Sequence, residues 1–370
     1  MKSIYKVVKL GDYLEETNER NTNLENIPLL GISNEKKFIP SIANIVGTDL
    51  SSYKIVNKNQ FAYITVTSRN GDKISVALLS DYEKCIVSSS YITFKIKDGA
   101  GLDPQYLLLW FKRNEFDRYT RFKSHGSTRE TFDWDDMCNI DLPLPPIEEQ
   151  IKIVEQYNII NKNIEIKQVI NDNLYEILDL QFAKYINDAN NYEDKFLIDF
   201  LNFEKGTEPG SENYLENKSV DTIPFIRVQN INSNITPKYV SKKIKKLKLF
   251  NENDILVSFD GTIGKIGFGI NGCYSSGLQR VTSKLNFISS GIIVAIMHSN
   301  IIQDELSKSQ GTTINHASKK IPELKIPFNV DKLKELSPIF DNIFQKLKTN
   351  TMLLAKLQEI SNQIINSTFD

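Results

Sequence analysis

Apolar residues along this chain keep two rhythms. Ile147, Ile151, Val154, Tyr157, Ile160 and Ile164 fall at steps of three or four, with a second set at Ile170, Leu174, Ile177 and Leu178. That spacing places side chains along one side of an α-helix. Pro146 suits the first helical position, and Glu148 and Glu149 suit the positive end of the helix dipole. Near the C-terminus, Phe340, Ile343, Leu347, Asn350, Leu354, Leu357, Ser361 and Ile364 alternate strictly between steps of three and four. This is a coiled-coil seam, with Ser337 able to cap it and Pro338 to occupy its first turn. Asn350 falls on the seam, where one buried polar residue fixes register, and Lys167 and Asn171 occupy the equivalent stretch of the first helix.

Between these helices the rhythm changes. "FAYITVTSRNGDKISVALL" alternates β-rich runs around Asn70-Gly71, a hairpin signal, whereas "LDPQYLLLWFKRNEFDRYTRF" (102–122) reads as one amphipathic helix with Pro104 in its first turn. The pattern also repeats. "IPLLGISNEKKFIPS" (27–41) resembles "IPFIRVQNINSNITPK" (223–238), and "VNKNQFAYITVTSRNGDKISVALL" (56–79) resembles "FNENDILVSFDGTIGKIGFGI" (250–270). "SHGSTRETFDWDDMCNIDLPLP" (124–145) resembles "SQGTTINHASKKIPELKIPFN" (309–329). A unit of about 185 residues is therefore used twice, each copy ending in a long helix.

The division expected is a first domain over 1–145, a central helix over 146–187, a second domain over 188–330 and a C-terminal helix over 331–370. The fold class is α+β: two tandem domains separated by two long antiparallel helices that form an intramolecular coiled coil. Tyr157, Ile160, Ile164, Leu174 and Leu178 would face Phe340, Ile343, Leu347, Asn350, Leu354, Leu357 and Ile364. The intervening domain returns the chain, so each helix can be the other's partner. The first helix would run roughly 60 Å, on the order of 17 base pairs of B-DNA.

Composition narrows the function. Charged residues are 25% and apolar ones 40%, ordinary for a folded chain, and the net charge of −1 does not advertise nucleic acid. Any DNA binding must come from local patches. Cys85, Cys138 and Cys273 are too few and scattered for a disulfide framework or metal knuckle, which fits a reducing cytoplasm. No leader and no membrane span is expected.

The order of a domain, the helix opening "LPLPPIEEQIKIV" (142–154), a second domain and a second helix resembles the specificity subunits of type I restriction-modification systems. Further matches to that family are "NDILVSFDGTIGKIGFG" (253–269) and the turns Gly126-Ser127-Thr128 and Gly311-Thr312-Thr313. The second copy departs from the pattern: it reads "LKIPFNVDKLKEL", without Pro-Pro-Glu-Glu-Gln, and Pro338 delays its helix. The resemblance covers essentially the whole chain. It implies two target-recognition domains, each reading half of a split sequence in double-stranded DNA. It also implies two modification subunits that bind S-adenosylmethionine and methylate adenine, and restriction subunits that use ATP and Mg. No cofactor would sit on this chain.

The residues carry no competing chemistry. Pro145-Pro146 is flanked by Leu144 and Ile147, not by the polar and aromatic groups an amino-methyltransferase needs. "GTIGKIGFG" (261–269) lacks P-loop spacing and reads as a tight β turn, and His125, His298 and His316 lack partners at ligand spacing. What remains is two matched polar, basic clusters. Arg69, Lys73, Lys123, His125, Ser127, Thr128 and Arg129 form the first; Lys265, Arg280, Thr312, Thr313, Asn315, His316, Lys319 and Lys320 form the second. Arg and Asn suit base edges, while Lys, Ser and Thr more often hold phosphates. Five lysines in "SKKIKKLKLF" (241–250) could follow a DNA backbone or form a solvated face. The rival readings are a self-contained modification or nuclease enzyme and a dimer joined by intermolecular coiled coils.

Overall fold

The structure is a computed structural model that describes residues 5–41, 47–66, 73–124, 130–188, 192–233, 235, 237–308 and 321–369. The chain divides into two compact units, Met1–Asn161 with Glu359–Asp370, and Lys162–Gln358.

The first domain runs β1 (Lys6–Lys9), β2 (Leu14–Thr17), β3 (Leu30–Ile32), β4 (Phe38–Pro40), β5 (Lys54–Asn57), β6 (Phe61–Ile64), β7 (Val76–Leu78), β8 (Lys84–Val87) and β9 (Tyr91–Ile96). Helices α1 (Pro104–Phe111), α2 (Asn114–Lys123) and α3 (Trp134–Cys138), then β10 (Asp141–Leu144), lead to the long α4 (Ile147–Asn187). The second domain follows: β11 (Glu193–Phe196), α5 (Leu197–Phe200), β12 (Leu201–Lys205), β13 (Thr222–Ile226), β14 (Lys238–Ser241) and β15 (Leu249–Phe250). It continues with β16 (Ile255–Ser258), β17 (Ile266–Gly267), β18 (Gly272–Tyr274), β19 (Leu278–Ser283), α6 (Ser290–His298), α7 (Asn300–Lys308), β20 (Lys325–Phe328) and α8 (Val330–Phe369).

The duplication holds strand for strand. Sheet order β2-β9-β6-β7 in the first domain becomes β12-β19-β16-β17 in the second, and the pair β1-β10 becomes β11-β20. A parallel bridge from Leu29 to Ile86 becomes the parallel pair β13-β18. Local chemistry repeats as well: Gln60 Oε1 accepts the Asn57 N–H at 2.9 Å, and Asp254 Oδ2 accepts the Asn251 N–H at 2.8 Å. The same side-chain-closed turn thus enters β6 and β16.

Each domain has its own core. In the first, Phe61 stacks on Phe94 at 4.9 Å, and Phe111 packs on Phe116 at 4.8 Å. That second contact needs a bend, so the single helix expected over 102–122 is instead α1 and α2, broken where Arg113 is extended (φ −67°, ψ 144°). In the second, Phe340 meets α6 at Gly291, where a Cβ would lie 2.5 Å from the Phe340 carbonyl carbon. Only glycine lets the two helix backbones approach this closely.

The "PPIEEQ" run is structural. Buried Gln150 accepts the Asp103 N–H at 2.8 Å and donates to the carbonyls of Gly101 and Pro145 at 2.9 and 2.8 Å. It thereby ties the start of α4 to the turn before α1, while Tyr5 donates to Glu149. Pro146 stands one position before α4, its carbonyl accepting from Glu149 and Gln150.

The C-terminal helix starts at the expected domain boundary rather than at the expected cap. Ser337 does not cap it and Pro338 does not start it: α8 opens at Val330, with Asn329 Oδ1 accepting the Lys332 N–H at 2.9 Å and Pro338 inside the helix. Proline there costs ~3 kcal/mol through a lost hydrogen bond and a ring clash. Full burial of Leu333 and Phe340 on either side, worth ~1.5–3 kcal/mol each, offsets it.

Within the second unit α4 and α8 pair antiparallel. Asn350 Nδ2 donates to Asn171 Oδ1 at 3.0 Å, and the rings of Phe182 and Phe340 lie 6.3 Å apart, so numbers rise on one helix as they fall on the other. In the first unit Asn161 Nδ2 reaches Ser361 Oγ at 3.4 Å in the same sense. The seam is buried at Ile164, Leu178, Phe340, Ile343, Leu347 and Asn350 and partly buried at Tyr157, Ile160, Leu174, Leu354, Leu357 and Ile364. Ile170 and Ile177, expected beside Leu174 and Leu178, face outward instead. No helix among the described residues is long and apolar enough to cross a membrane.

Candidate nucleic-acid interface

In the first domain a buried ion pair organises the chain beside two candidate loops. Lys36 Nζ lies 2.5 Å from Asp117 Oδ1, and the side chains are 4% and 10% exposed. The pair also grips the backbone of one hairpin residue on both sides: Lys36 Nζ donates to the Ile74 carbonyl at 3.3 Å, and Asp117 Oδ1 accepts the Ile74 N–H at 3.2 Å. Burial pulls the Lys36 ammonium below its ordinary value even though Asp117 acts to raise it.

Lys73, exposed, immediately precedes the gripped residue. Exposed Lys123 closes α2, its Nζ 5.9 Å from the Tyr119 ring centre. A Val66–Thr131 bridge and a hydrogen bond from Phe132 N–H to the Thr65 carbonyl join the chain before one loop to the chain after the other. Arg121 and Glu130 pair across the second loop. Arg69, His125, Ser127, Thr128 and Arg129 lie outside the described residues.

In the second domain the glycine-rich stretch forms the β16–β17 hairpin with no helix after it. Ser258 Oγ closes the turn, donating to the Thr262 carbonyl at 2.6 Å and accepting the Lys265 N–H at 2.8 Å. Gly264 (φ +90°) adopts the left-handed region, and Gln303 Nε2 donates to its carbonyl at 3.2 Å. Lys265 Nζ reaches the Ile231 carbonyl at 3.3 Å, which sets its ammonium beside the 3-10 turn Val228–Asn230. Thr312, Thr313, Asn315, His316, Lys319 and Lys320 lie outside the described residues.

The two arginines of this domain differ in what holds them. Arg280 donates to Glu204 at 2.6 Å and lies 3.5 Å from Asp254, so two carboxylates balance its charge. The hydrogen bond from Lys248, followed by the Arg280 charge, holds the Glu204 carboxyl below its ordinary value. Arg227, immediately after β13, has no such partner among the described residues. Its guanidinium stands 5.5 Å from the Tyr214 ring centre, its Nε is buried without a hydrogen bond, and no described residue pairs with its terminal nitrogens. Sequence reading passed over Arg227, although two signals mark it. It and Arg280 are the only arginines between residues 188 and 330, and it replaces Gly31 in the otherwise similar "IPLLGISN" and "IPFIRVQN" segments.

Other candidates have structural occupations. His298 Nδ1 lies 2.8 Å from Asp179 Oδ1 and its ring stacks on Tyr175 at 4.3 Å. Its counterpart Lys112 lies 4.9 Å over the Tyr157 ring, so both domains seat the end of an equivalent helix on α4 through a tyrosine. Burial pushes the Cys85 and Cys273 thiols up to about 12, leaving inert core groups. Lys242, Lys243, Lys245 and Lys246 are exposed, whereas Lys248 is paired with Glu204. No cluster that could hold a metal is found among the described residues.

The chain holds two copies of one α+β domain, each with basic groups beside a tied hairpin. Residues 3–176 and 189–359 match the type I restriction modification DNA specificity domain, and the chain belongs to that family. It is 28% identical over 169 residues to the type I restriction enzyme MjaVIII specificity subunit of Methanocaldococcus jannaschii, covering 44% of this chain and 38% of that protein. It is 29% identical over 187 residues to the MjaIX specificity subunit of the same organism, covering 44% and 43%. These matches span less than half the length of either relative. The fold is also that of a type-I restriction-modification system S subunit from M. genitalium, with a TM-score of 0.54 at 16% identity, covering 100% of this chain and 97% of that one.

Proposed function

We propose that this chain is the DNA sequence-recognition subunit of a type I restriction-modification complex and acts in the cytoplasm. Each domain reads one half of a split target in double-stranded DNA, and the helix pair sets the number of unread base pairs between the halves. The chain performs no chemistry itself. Two modification subunits carrying S-adenosylmethionine methylate adenine in each half-site, and restriction subunits use ATP and Mg to translocate and cut.

The observation that carries this reading is the strand-for-strand duplication on a helix pair whose register is held by Asn171 and Asn350. Two copies of one reader in a single chain suit a target of two half-sites. α4 also has a face to spare: Ile166, Ile170, Ile177 and Leu180 are 47%, 37%, 46% and 63% exposed at steps of four, seven and three. Such a stripe suits docking of partner helices, here the modification subunits. The test is methylome sequencing of cells that hold the neighbouring modification subunit, with and without this chain. A split motif that vanishes with the chain is expected; an unchanged methylome would contradict the reading.

A further inference from the structure

Resting on that reading, we propose that Arg227 is the residue with which the second domain recognises a guanine in its half-site. The argument is one of elimination and preorganisation. A guanidinium reads guanine bidentately, two N–H groups meeting O6 and N7, and this is the commonest specific contact to a base in the major groove. Only two guanidiniums exist between residues 188 and 330. Arg280 is committed to Glu204 and Asp254, its counterpart pair in the first domain being Thr17 and Thr93 on the same cross-strand register. Arg227 alone keeps its terminal nitrogens unclaimed among the described residues.

The surroundings hold that fork in place. Tyr214 lies against one side of it and is itself fixed by Phe225 at 5.4 Å and by a hydrogen bond to Glu208. The Glu208 carboxylate is engaged by the N–H and hydroxyl of Ser276 at 2.9 and 3.0 Å. The Arg227 N–H is bound to Asn230 Oδ1 at 2.9 Å, and the next residue, Val228, packs against Gly261 and Gly277 beside the hairpin that carries Lys265. An arginine with a buried Nε and an aromatic ring beside its guanidinium loses little rotamer freedom on meeting a base. Equivalent Gly31 has no side chain, so this contact belongs to one domain only, as expected where two readers of the same fold read different sequences.

The test begins with the wild-type complex of this chain and its modification subunit. Absence of any split methylation motif would overturn the DNA-reading function itself, before Arg227 is in question. With the motif known, duplexes carrying 7-deazaguanine at each guanine in turn are titrated against the wild type, Arg227→Gln and Arg227→Lys. Loss of one guanine N7 is expected to weaken wild-type binding about 10- to 100-fold. Arg227→Gln should be indifferent to that N7 and should methylate sites altered at that base pair, with the other half-site unchanged, whereas Arg227→Lys, whose ammonium can still donate to guanine, should fall between it and the wild type. Three results overturn the proposal: no N7-sensitive guanine in the wild type, an Arg227→Gln variant that binds all duplexes more weakly but keeps the sensitivity, or variants that fail to fold, which would make Arg227 a structural residue.

Discussion

The two domains hold the same hairpin with opposite chemistry. In the first, Lys36 and Asp117 grip Ile74 through a buried ion pair. In the second, the equivalent positions are Asn232 and Gln303, and neutral amides reach the Ile266 and Gly264 carbonyls at 3.3 and 3.2 Å. Lys36 and Asn232 share even the left-handed backbone, with φ of 60° and 52°. What persists between the copies is the task of bracing the hairpin beside a reading surface. The side chains that do it are free to change as long as each buried polar group finds a partner.

The largest effect should come from breaking the charged clamp by half. Lys36→Met leaves the Asp117 carboxylate buried without its cation, which is expected to cost about 3–5 kcal/mol. Both tryptophans, Trp110 and Trp134, lie in the first domain, so fluorescence-detected unfolding reads that domain selectively. Importing the second domain's solution, Lys36→Asn with Asp117→Gln, should recover most of the loss. A double variant as unstable as the single one would show that the two clamps are not interchangeable.

The next effect is in the seam. Asn350→Ala should cost about 1–3 kcal/mol by stranding Asn171, whereas Asn171→Leu with Asn350→Leu should be neutral or stabilising, since both polar partners leave together. Thermal unfolding followed in the helical circular-dichroism band would decide. A double variant less stable than Asn350→Ala would contradict the pairing.

The smallest effect separates Arg280 from Arg227. Glu204→Thr with Arg280→Thr, the first domain's residues at that register, removes a half-exposed ion pair worth about 1 kcal/mol or less. Because the folded Glu204 carboxyl lies below its ordinary value of 4.5, its contribution is present above that pH and is lost as pH falls through the folded value. Acid unfolding of the double variant should lack that component, and its methylation motif should match the wild type. A changed motif would make Arg280 a reader as well.

Much of the plan was legible in the sequence, because periodicity and repetition are local signals. Steps of three and four located α4, and "IPLLGISN" beside "IPFIRVQN" located β3 and β13. The rest depends on contacts remote in sequence. Lys36 and Asp117 are 81 positions apart, and nothing local announces a clamp. Pro338 carried too much weight because the apolar residues burying α8 around it lie in other elements. Arg280 read as a DNA-binding candidate because Glu204 and Asp254, which meet it across the sheet, are remote from it in sequence. Of the matched basic clusters, the structure places Lys73, Lys123, Lys265 and Arg280.

The central claim, two readers held at a set distance by paired helices, is tested most directly by changing that distance. Seven residues inserted in phase into both α4 and α8 add about 10 Å of helix, on the order of three base pairs. Methylome sequencing of cells carrying the extended chain should show both half-sites unchanged and the unread spacer longer by about that amount. An unaltered spacer with methylation intact would contradict the account.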